Sequence, residues 1–310
     1  MIRKLLNSIK YIKKNNEILN ELSNENRNDI KNVKVNIGQI QAYLNTKKED
    51  GLNLSEYEFQ VFSQFGDDGI IQYLINKIEI PNKTFIEFGV ENYKESNTRF
   101  LLINDKWSGL IIDGAKSNID FVKRDFIYSM FDLHAKEAFI TTDNINELIQ
   151  SFLDLGYSNE IGLLSIDIDG NDYWIWKAIK VVKPIIVIIE YNSLFGPVNP
   201  WTIPYEEKFY RLESDRFYQY WGASISALCQ MSELKGYDFI GCNSQGNNAY
   251  FIRSDKTGKL KKLSASEGYK KALFREYFGI NGEVLTFDER INLIKGKPIY
   301  NVHSEILEKI

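Results

Sequence analysis

The sequence predicts an α/β protein: a doubly wound, mostly parallel seven-stranded sheet with an N-terminal helical segment and a helical C-terminal extension. Three observations carry this. Apolar runs of strand length alternate with helical segments from residue 60 onward, the pattern of parallel strands buried on both faces. The runs are nearly continuous rather than alternating, as in "PIIVIIE" at 184–190. The series then closes on "YDFIGCNSQGNNAYFIR", 237–253, where two strand-like runs flank a short polar turn, the signal of a β-hairpin.

The elements follow in order. "SQFGDDGIIQYLINKI" reads as a loop and helix, "TFIEFGV" (84–90) as a strand, and 97–104 as a helix. The strand "GLIID" (109–113), a helix near 117–125, the strand "EAFITT" (137–142) and the helix "NINELIQSFLDLG" come next. "GLLSIDID", the helix "DYWIWKAIK" and the strand "PIIVIIEYN" (184–192) complete five parallel strands before the hairpin. Five parallel strands ending in a hairpin is the element order of class I S-adenosylmethionine-dependent methyltransferases. The organisation is therefore a helical segment over 1–50, a main domain over 51–255 and a mostly helical extension over 256–310.

In the first segment a 3-4 spacing runs unbroken through Ile2, Leu5, Ile9, Ile12, Asn16, Leu19, Ser23, Asn26, Ile30, Val33, Ile37, Ile40 and Leu44. That is a heptad seam, which calls for a partner helix. Two readings stay open: a self-associating coil, with Asn16, Ser23, Asn26 and Gly38 weakening it, or two helices broken near "SNENRND" and folded back on the main domain. Five basic residues among the first fourteen add a third, contact with an anionic membrane surface.

Composition narrows the function. With 38 basic and 42 acidic residues and a net charge of −4, the chain has no general attraction for nucleic acid phosphates. No run reaches the length of a membrane span, and the start lacks a signal-peptide pattern. Cys229 and Cys242 are the only cysteines, so the expected setting is cytoplasmic and reducing.

In open α/β sheets ligands bind beyond the carboxyl ends of the strands, at the switch in strand order. Strand ends therefore name the candidates. The first places Glu87 at the crevice edge and Gly89 at a close backbone approach. The second leaves Asp113, 24 residues past Gly89, where an acid takes the hydroxyls of a ribose. The third ends near Asp143, which fits either an adenine amino group or a helix cap. On "LLSIDID", Ser165, Asp167 and Asp169 share a side, and "IIEYN" projects Glu190 and Asn192. Asp167, Asp169, Glu190 and Asn192 form a candidate Mg²⁺ set of oxygen donors, with Asp167, Glu190 and Asn192 as the assigned ligands. Without metal, Asp167 or Asp169 is a candidate general base. Asp172 is assigned to the turn and helix start.

Together "SQFGDDGIIQYL", "FIEFGVENYKESNTRFLL", "GLIIDG", "LLSIDIDGNDYWIWKA", "IIEYN", "YWGASISAL" and "KGYDFIGCNSQGNNAYFIR" resemble the FkbM-type methyltransferase family over roughly residues 60–255. The resemblance implies a Rossmann-like fold, S-adenosylmethionine as methyl donor, and transfer to a hydroxyl, often of a sugar. Carried over by position, it implies that Glu87, Gly89, Asp113 and Asp143 bind cofactor, with Gln64 toward the methionine end and Asp167 beside the methyl group. It points to a nucleotide-activated sugar or surface glycan as acceptor. The chain departs from the family in having Asp169 and Asp172 where Glu is commoner, and in its glycine-poor first loop.

Two other readings compete. Asp167-Ile168-Asp169 matches the "DxD" of a metal-dependent glycosyltransferase, and the heptad segment fits a non-catalytic scaffold. His134 and His303, the only histidines, rank lower as bases. The stretches "LFGPVNPWTIPY" (194–205) and "FYQYWGAS" (217–224) are candidates for an acceptor lid, with Tyr220 and Trp221 equally suited to a core.

Overall fold

A computed structural model describes residues 2–49, 51, 53–214, 218–272 and 282–310. Phe217 of the aromatic stretch, residues 273–281 of the C-terminal extension, and the seam side chains of Ile2, Leu5, Ile9, Ile12 and Ser23 lie outside the described set.

Helix α1 (Ile2–Asn45) and a 3-10 turn at Leu54–Tyr57 precede α2 (Asp67–Lys77) and strand β1 (Thr84–Phe88). Then come α3 (Arg99–Asn104), β2 (Ser108–Asp113), α4 (Lys116–Arg124), α5 (Phe126–Met130), β3 (Leu133–Glu137) and α6 (Ile145–Leu153). They are followed by β4 (Leu163–Ile166), α7 (Asp172–Ala178), β5 (Ile186–Glu190), β6 (Trp201–Thr202), α8 (Arg211–Ser214) and α9 (Ile225–Lys235). The hairpin β7 (Tyr237–Cys242) and β8 (Asn248–Arg253) leads to α10 (Ala265–Gly268), α11 (Phe287–Leu293), β9 (Pro298–Asn301) and β10 (Ile306–Lys309).

The main sheet has the order β3-β2-β1-β4-β5-β8-β7. β1 pairs in parallel with both β2 and β4, so strand order reverses beside β1. β8 runs antiparallel to both of its neighbours. This is the doubly wound sheet expected of a class I methyltransferase. Every residue of β1, β4 and β5 is buried, because alternate side chains enter two separate cores. Ile86, Phe88, Leu164 and Ile166 face α6, α7 and α9. Phe85, Leu163, Ile186 and Ile188 face α2 and α3.

Two adjacent acids in "SQFGDDG" have structural tasks. Asp68 Oδ2 accepts from the backbone N–H groups of Val61, Phe62 and Ser63 at 2.7–2.8 Å, tying off the loop before α2. Asp67 takes the hydroxyl of Tyr250 and the amides of Asn243 and Asn248, joining α2 to the terminal hairpin.

Three elements differ from expectation. The third strand lies at 133–137 rather than 137–142. As an edge strand it exposes one face, so "LHAKE" carries no apolar run, and the more apolar 138–142 becomes a loop at the crevice. The first segment does not break at "SNENRND": α1 is one 44-residue helix. The C-terminal extension is not simply helical, since β9 and β10 form a hairpin that pairs with β6 as a second, three-stranded sheet. Its strands are short and largely polar, which hid them in the sequence.

Candidate active site at the strand ends

At the carboxyl edge of the sheet, Asp113, Gly89, Asp167 and Glu190 follow the ends of the adjacent strands β2, β1, β4 and β5. Neighbouring strands lie about 4.8 Å apart, so these residues form a row across the strand-order switch.

On the β1/β2 side the carboxylates are well supplied with local donors. Glu87 is buried and accepts from Ser96 Oγ and Thr98 Oγ1, each at 2.5 Å, and from the N–H groups of Asn97 (2.9 Å) and Thr98 (3.1 Å). Burial raises its pKa, and these bonds partly offset the rise. It therefore shapes the loop after β1. Asp113 accepts from Glu91 N–H, Ala115 N–H and Asn118 Nδ2 at 2.8–3.0 Å. A carboxylate offers about four acceptor positions, so one remains for a ligand hydroxyl. The glycine-poor loop makes its turn with Glu91 and Tyr93 at φ 46° and 60°, a left-handed conformation that is costly for such residues. Gly89 has φ 72°, and a Cβ there would lie 1.6 Å from the Asp167 carbonyl oxygen. Its close approach is to β4 backbone.

Asp143 is exposed in the loop after β3. The residue flanking α6 is Asn144, whose Oδ1 accepts from Thr141 N–H at 2.9 Å. Asp143 is therefore not the N-cap residue of α6, Asn144 bonds the preceding loop rather than a helix N–H, and the Asp143 carboxylate lies at the rim. Gln64 is also exposed, with its backbone carbonyl bonded to Gln60 Nε2 at 2.9 Å.

The β4/β5 side is different. Asp167 and Glu190 share a hydrogen bond, and both sit well above the usual carboxylate range. For Asp167 the causes are burial, then repulsion from Asp169 and Asp172; for Glu190 they are burial, then repulsion from Asp167 and Asp169. Glu190 Oε2 is buried with no hydrogen-bond partner among the described residues. Burial and mutual repulsion both favour the protonated form of this pair. Asp172, by contrast, accepts from the N–H groups of Ile168 and Gly170, each at 2.9 Å, and serves the turn as expected. Burial lifts it to about 6.

Ligand atoms of Asp167, Asp169 and Glu190 lie within 4.8 Å of one another. Three of the four expected oxygen donors, Asp167, Asp169 and Glu190, are in this grouping. Asn192 Oδ1 accepts from Leu194 N–H, and its Nδ2 donates to the carbonyls of Gln219 and Trp221. Its amide is committed to the chain after β5.

That chain folds back as a lid. Trp174 Nε1 donates to the Ile203 carbonyl and Asn171 Nδ2 to that of Glu206, each at 2.8 Å. Phe209 packs where a Cβ on Gly170 would lie 2.2 Å from its ring. Arg211 Nη1 meets Asp169 Oδ1 at 2.6 Å while its guanidinium stacks over Trp221. Asp169 is held at φ 57°. The Tyr205 hydroxyl accepts from Thr142 N–H at 3.2 Å, which links the lid to the loop of Asp143. Tyr220 and Trp221 are core residues, and the small sheet braces the lid from behind through Leu194, Ile203, Ile294 and Ile299.

Arg211 was not legible as a site residue, because nothing in "KFYRLES" distinguishes it from a surface cation. His134 lies in edge strand β3 beside Tyr157, and His303 is exposed in the β9–β10 turn. Neither joins the row of acids.

No family model matches the chain, and no curated protein does. Among solved structures it is similar to an O-methyltransferase from Bacillus cereus in complex with SAH, at 11% identity and TM-score 0.34, over 55% of this chain and 72% of that one. It is also similar to an S-adenosylmethionine-dependent methyltransferase from Clostridium acetobutylicum, at 10% identity and TM-score 0.37, over 60% and 89% of the two chains. The strand order, rather than these loose likenesses, makes the sheet that of a class I methyltransferase.

Proposed function

We propose that this chain is an S-adenosylmethionine-dependent O-methyltransferase acting on a carbohydrate hydroxyl, in a nucleotide-activated sugar or a surface glycan. The observation that carries the reading is the donor-poor carboxyl pair Asp167–Glu190 at the strand ends, two strands away from an Asp113 that retains a free acceptor position. The donor set fits the cofactor: Asp113 for ribose hydroxyls, the rim carboxylate of Asp143 for the adenine amino group, and the loop held by Glu87, with Gln64, for the methionine end. When bound, the cofactor supplies a methyl group on a positively charged sulfur.

The protein's part is positioning and proton removal. A hydroxyl attacks well only as its proton leaves, and the Asp167–Glu190 pair accepts that proton in its ionised form. Arg211, through Asp169, keeps the neighbouring charge from suppressing that form. The exposed rings of Tyr210 and Tyr218 flank the lid and suit the apolar face of a sugar. The sugar itself is supported by the FkbM resemblance. The free thiols of Cys229 and Cys242 fit a cytoplasmic setting.

A second reading has an observation of its own. The Asp167–Asp169–Glu190 grouping would hold a hard divalent cation, either Mg²⁺ assisting the same transfer or Mn²⁺ serving a sugar nucleotide in a glycosyltransferase. Thermal unfolding separates these. Stabilisation by S-adenosylhomocysteine in EDTA, with none from a sugar nucleotide plus Mn²⁺, is expected; the reverse pattern replaces the methyltransferase by the glycosyltransferase. Methyl transfer that survives EDTA assigns proton removal to the carboxyl pair alone.

A further inference from the structure

Helix α1 presents two opposed faces. One is docked on the main domain through its C-terminal third, where Gly38, Ala42 and Asn45 are buried. A Cβ on Gly38 would lie 2.5 Å from Val61 and 2.9 Å from Phe100, so glycine at this position lets the helix seat. Asn45 Nδ2 donates to the Tyr57 carbonyl and Gln39 Nε2 to Asn104 Oδ1 at 2.6 and 2.8 Å. The other face carries the heptad seam. Leu19, Ile30, Val33, Ile37, Ile40 and Leu44 are each 50–62% exposed. At about 100° per residue the centre of this stripe lies about 125° around the helix from Gly38, Ala42 and Asn45. Docking therefore leaves it open.

We propose that this face pairs with the same face of a second copy, as a parallel, in-register, two-stranded coiled coil. The seam spacing sets the kind of partner, since only a helix with the same 3.5-residue repeat follows a 3-4 stripe over this length. Charge and polarity fix the direction. With Asn16, Ile30, Ile37 and Leu44 at a and Leu19, Asn26, Val33 and Ile40 at d, Asp29 occupies g and Lys34 the following e. A parallel pair sets Asp29 against Lys34 of the other copy twice, and Asn16 against Asn16. A fully overlapping antiparallel pair sets Lys13 against Lys34 and leaves Asn16 facing Val33, an unpaired polar group in an apolar layer. The polar Asn16 at an a position specifies two strands, against the pull of β-branched Val33 and Ile40 at d towards larger bundles. Because the docked face points away from the seam, the two main domains lie on opposite outer sides of the coil and do not collide.

The test uses the full chain. Sedimentation equilibrium at about 100 μM is expected to give the mass of two chains, with dissociation on dilution into the micromolar range. Ile37→Asp places a charge in the seam and is expected to weaken association about 100-fold. As this side chain is exposed in the single chain, thermal unfolding of the main domain should not move. Asp29→Lys is expected to weaken association several-fold, and adding Lys34→Asp to restore it. Val33→Cys should form an intermolecular disulfide under mild oxidation, because parallel register puts the two residues side by side; antiparallel pairing holds them about 26 Å apart. A one-chain or three-chain mass, or no Val33→Cys cross-link, overturns the proposal. A one-chain mass with cosedimentation on phosphatidylglycerol vesicles gives the face to a membrane instead.

Discussion

The two halves of the crevice place similar acids at similar strand ends and treat them in opposite ways. Glu87 receives four hydrogen bonds and Asp113 three, from the adjacent loops and the first turn of α4. Asp167 and Glu190 have chiefly each other, and one Glu190 oxygen has no partner among the described residues. A carboxylate held by several local donors shapes the backbone around it. A buried pair with few donors has its pKa raised and is suited to exchanging a proton. The strained Glu91, Tyr93 and Asp169 all border this edge, so the cost of shaping it is concentrated where ligand would sit.

The largest effect should come from Asp167→Asn. Loss of the proton acceptor is expected to lower methyl transfer about 10²–10⁴-fold while S-adenosylhomocysteine still stabilises the protein; unchanged transfer would erase the functional contrast between the halves. Glu87→Ala probes the other side. Stranding the donors of Ser96, Asn97 and Thr98 should cost about 3 kcal/mol in urea unfolding and weaken cofactor binding. A variant of normal stability that binds normally would show that the saturation is incidental.

Smaller effects sharpen the picture through pH. Transfer should rise with pH as the pair loses its proton, above the ordinary carboxylate range. Glu190→Gln removes a repelling neighbour and is expected to move that rise to lower pH. The same pair makes stability pH-dependent. Raised folded pKa values mean that the native state holds more protons than the unfolded chain. Their stabilising contribution is full below the ordinary carboxylate pKa and is lost as pH climbs through the raised values. Glu190→Gln should flatten that decline, read from urea midpoints across pH. Arg211→Gln removes a charge that lowers both pKa values, so the rise in rate should shift upward, by less than one pH unit because Arg211 bonds to the exposed Asp169. A downward shift would separate Arg211 from the pair.

Much of this edge was legible because strand ends are marked by chemistry. A carboxylate directly after a continuous apolar run, as at Asp113, Asp167 and Glu190, has few places to go but the rim of a sheet. What each acid does there was not legible. Glu87 and Glu190 stand near the ends of similar strands, and only the fold shows that the loop of Ser96–Thr98 wraps one while an oxygen of the other has no donor among the described residues. Arg211 reaches Asp169 across 42 residues of chain, a pairing with no local signal.

The sequence by itself determined the periodicities: the buried parallel strands, the closing hairpin and the α1 seam, because alternation and heptad spacing express burial along one element. The tertiary structure decided everything that depends on two elements meeting. It set which carboxylates find donors, which face of α1 docks, and that the C-terminal hairpin braces the lid. Hydrogen-bond saturation is a property of neighbours in space, and sequence spacing does not encode it.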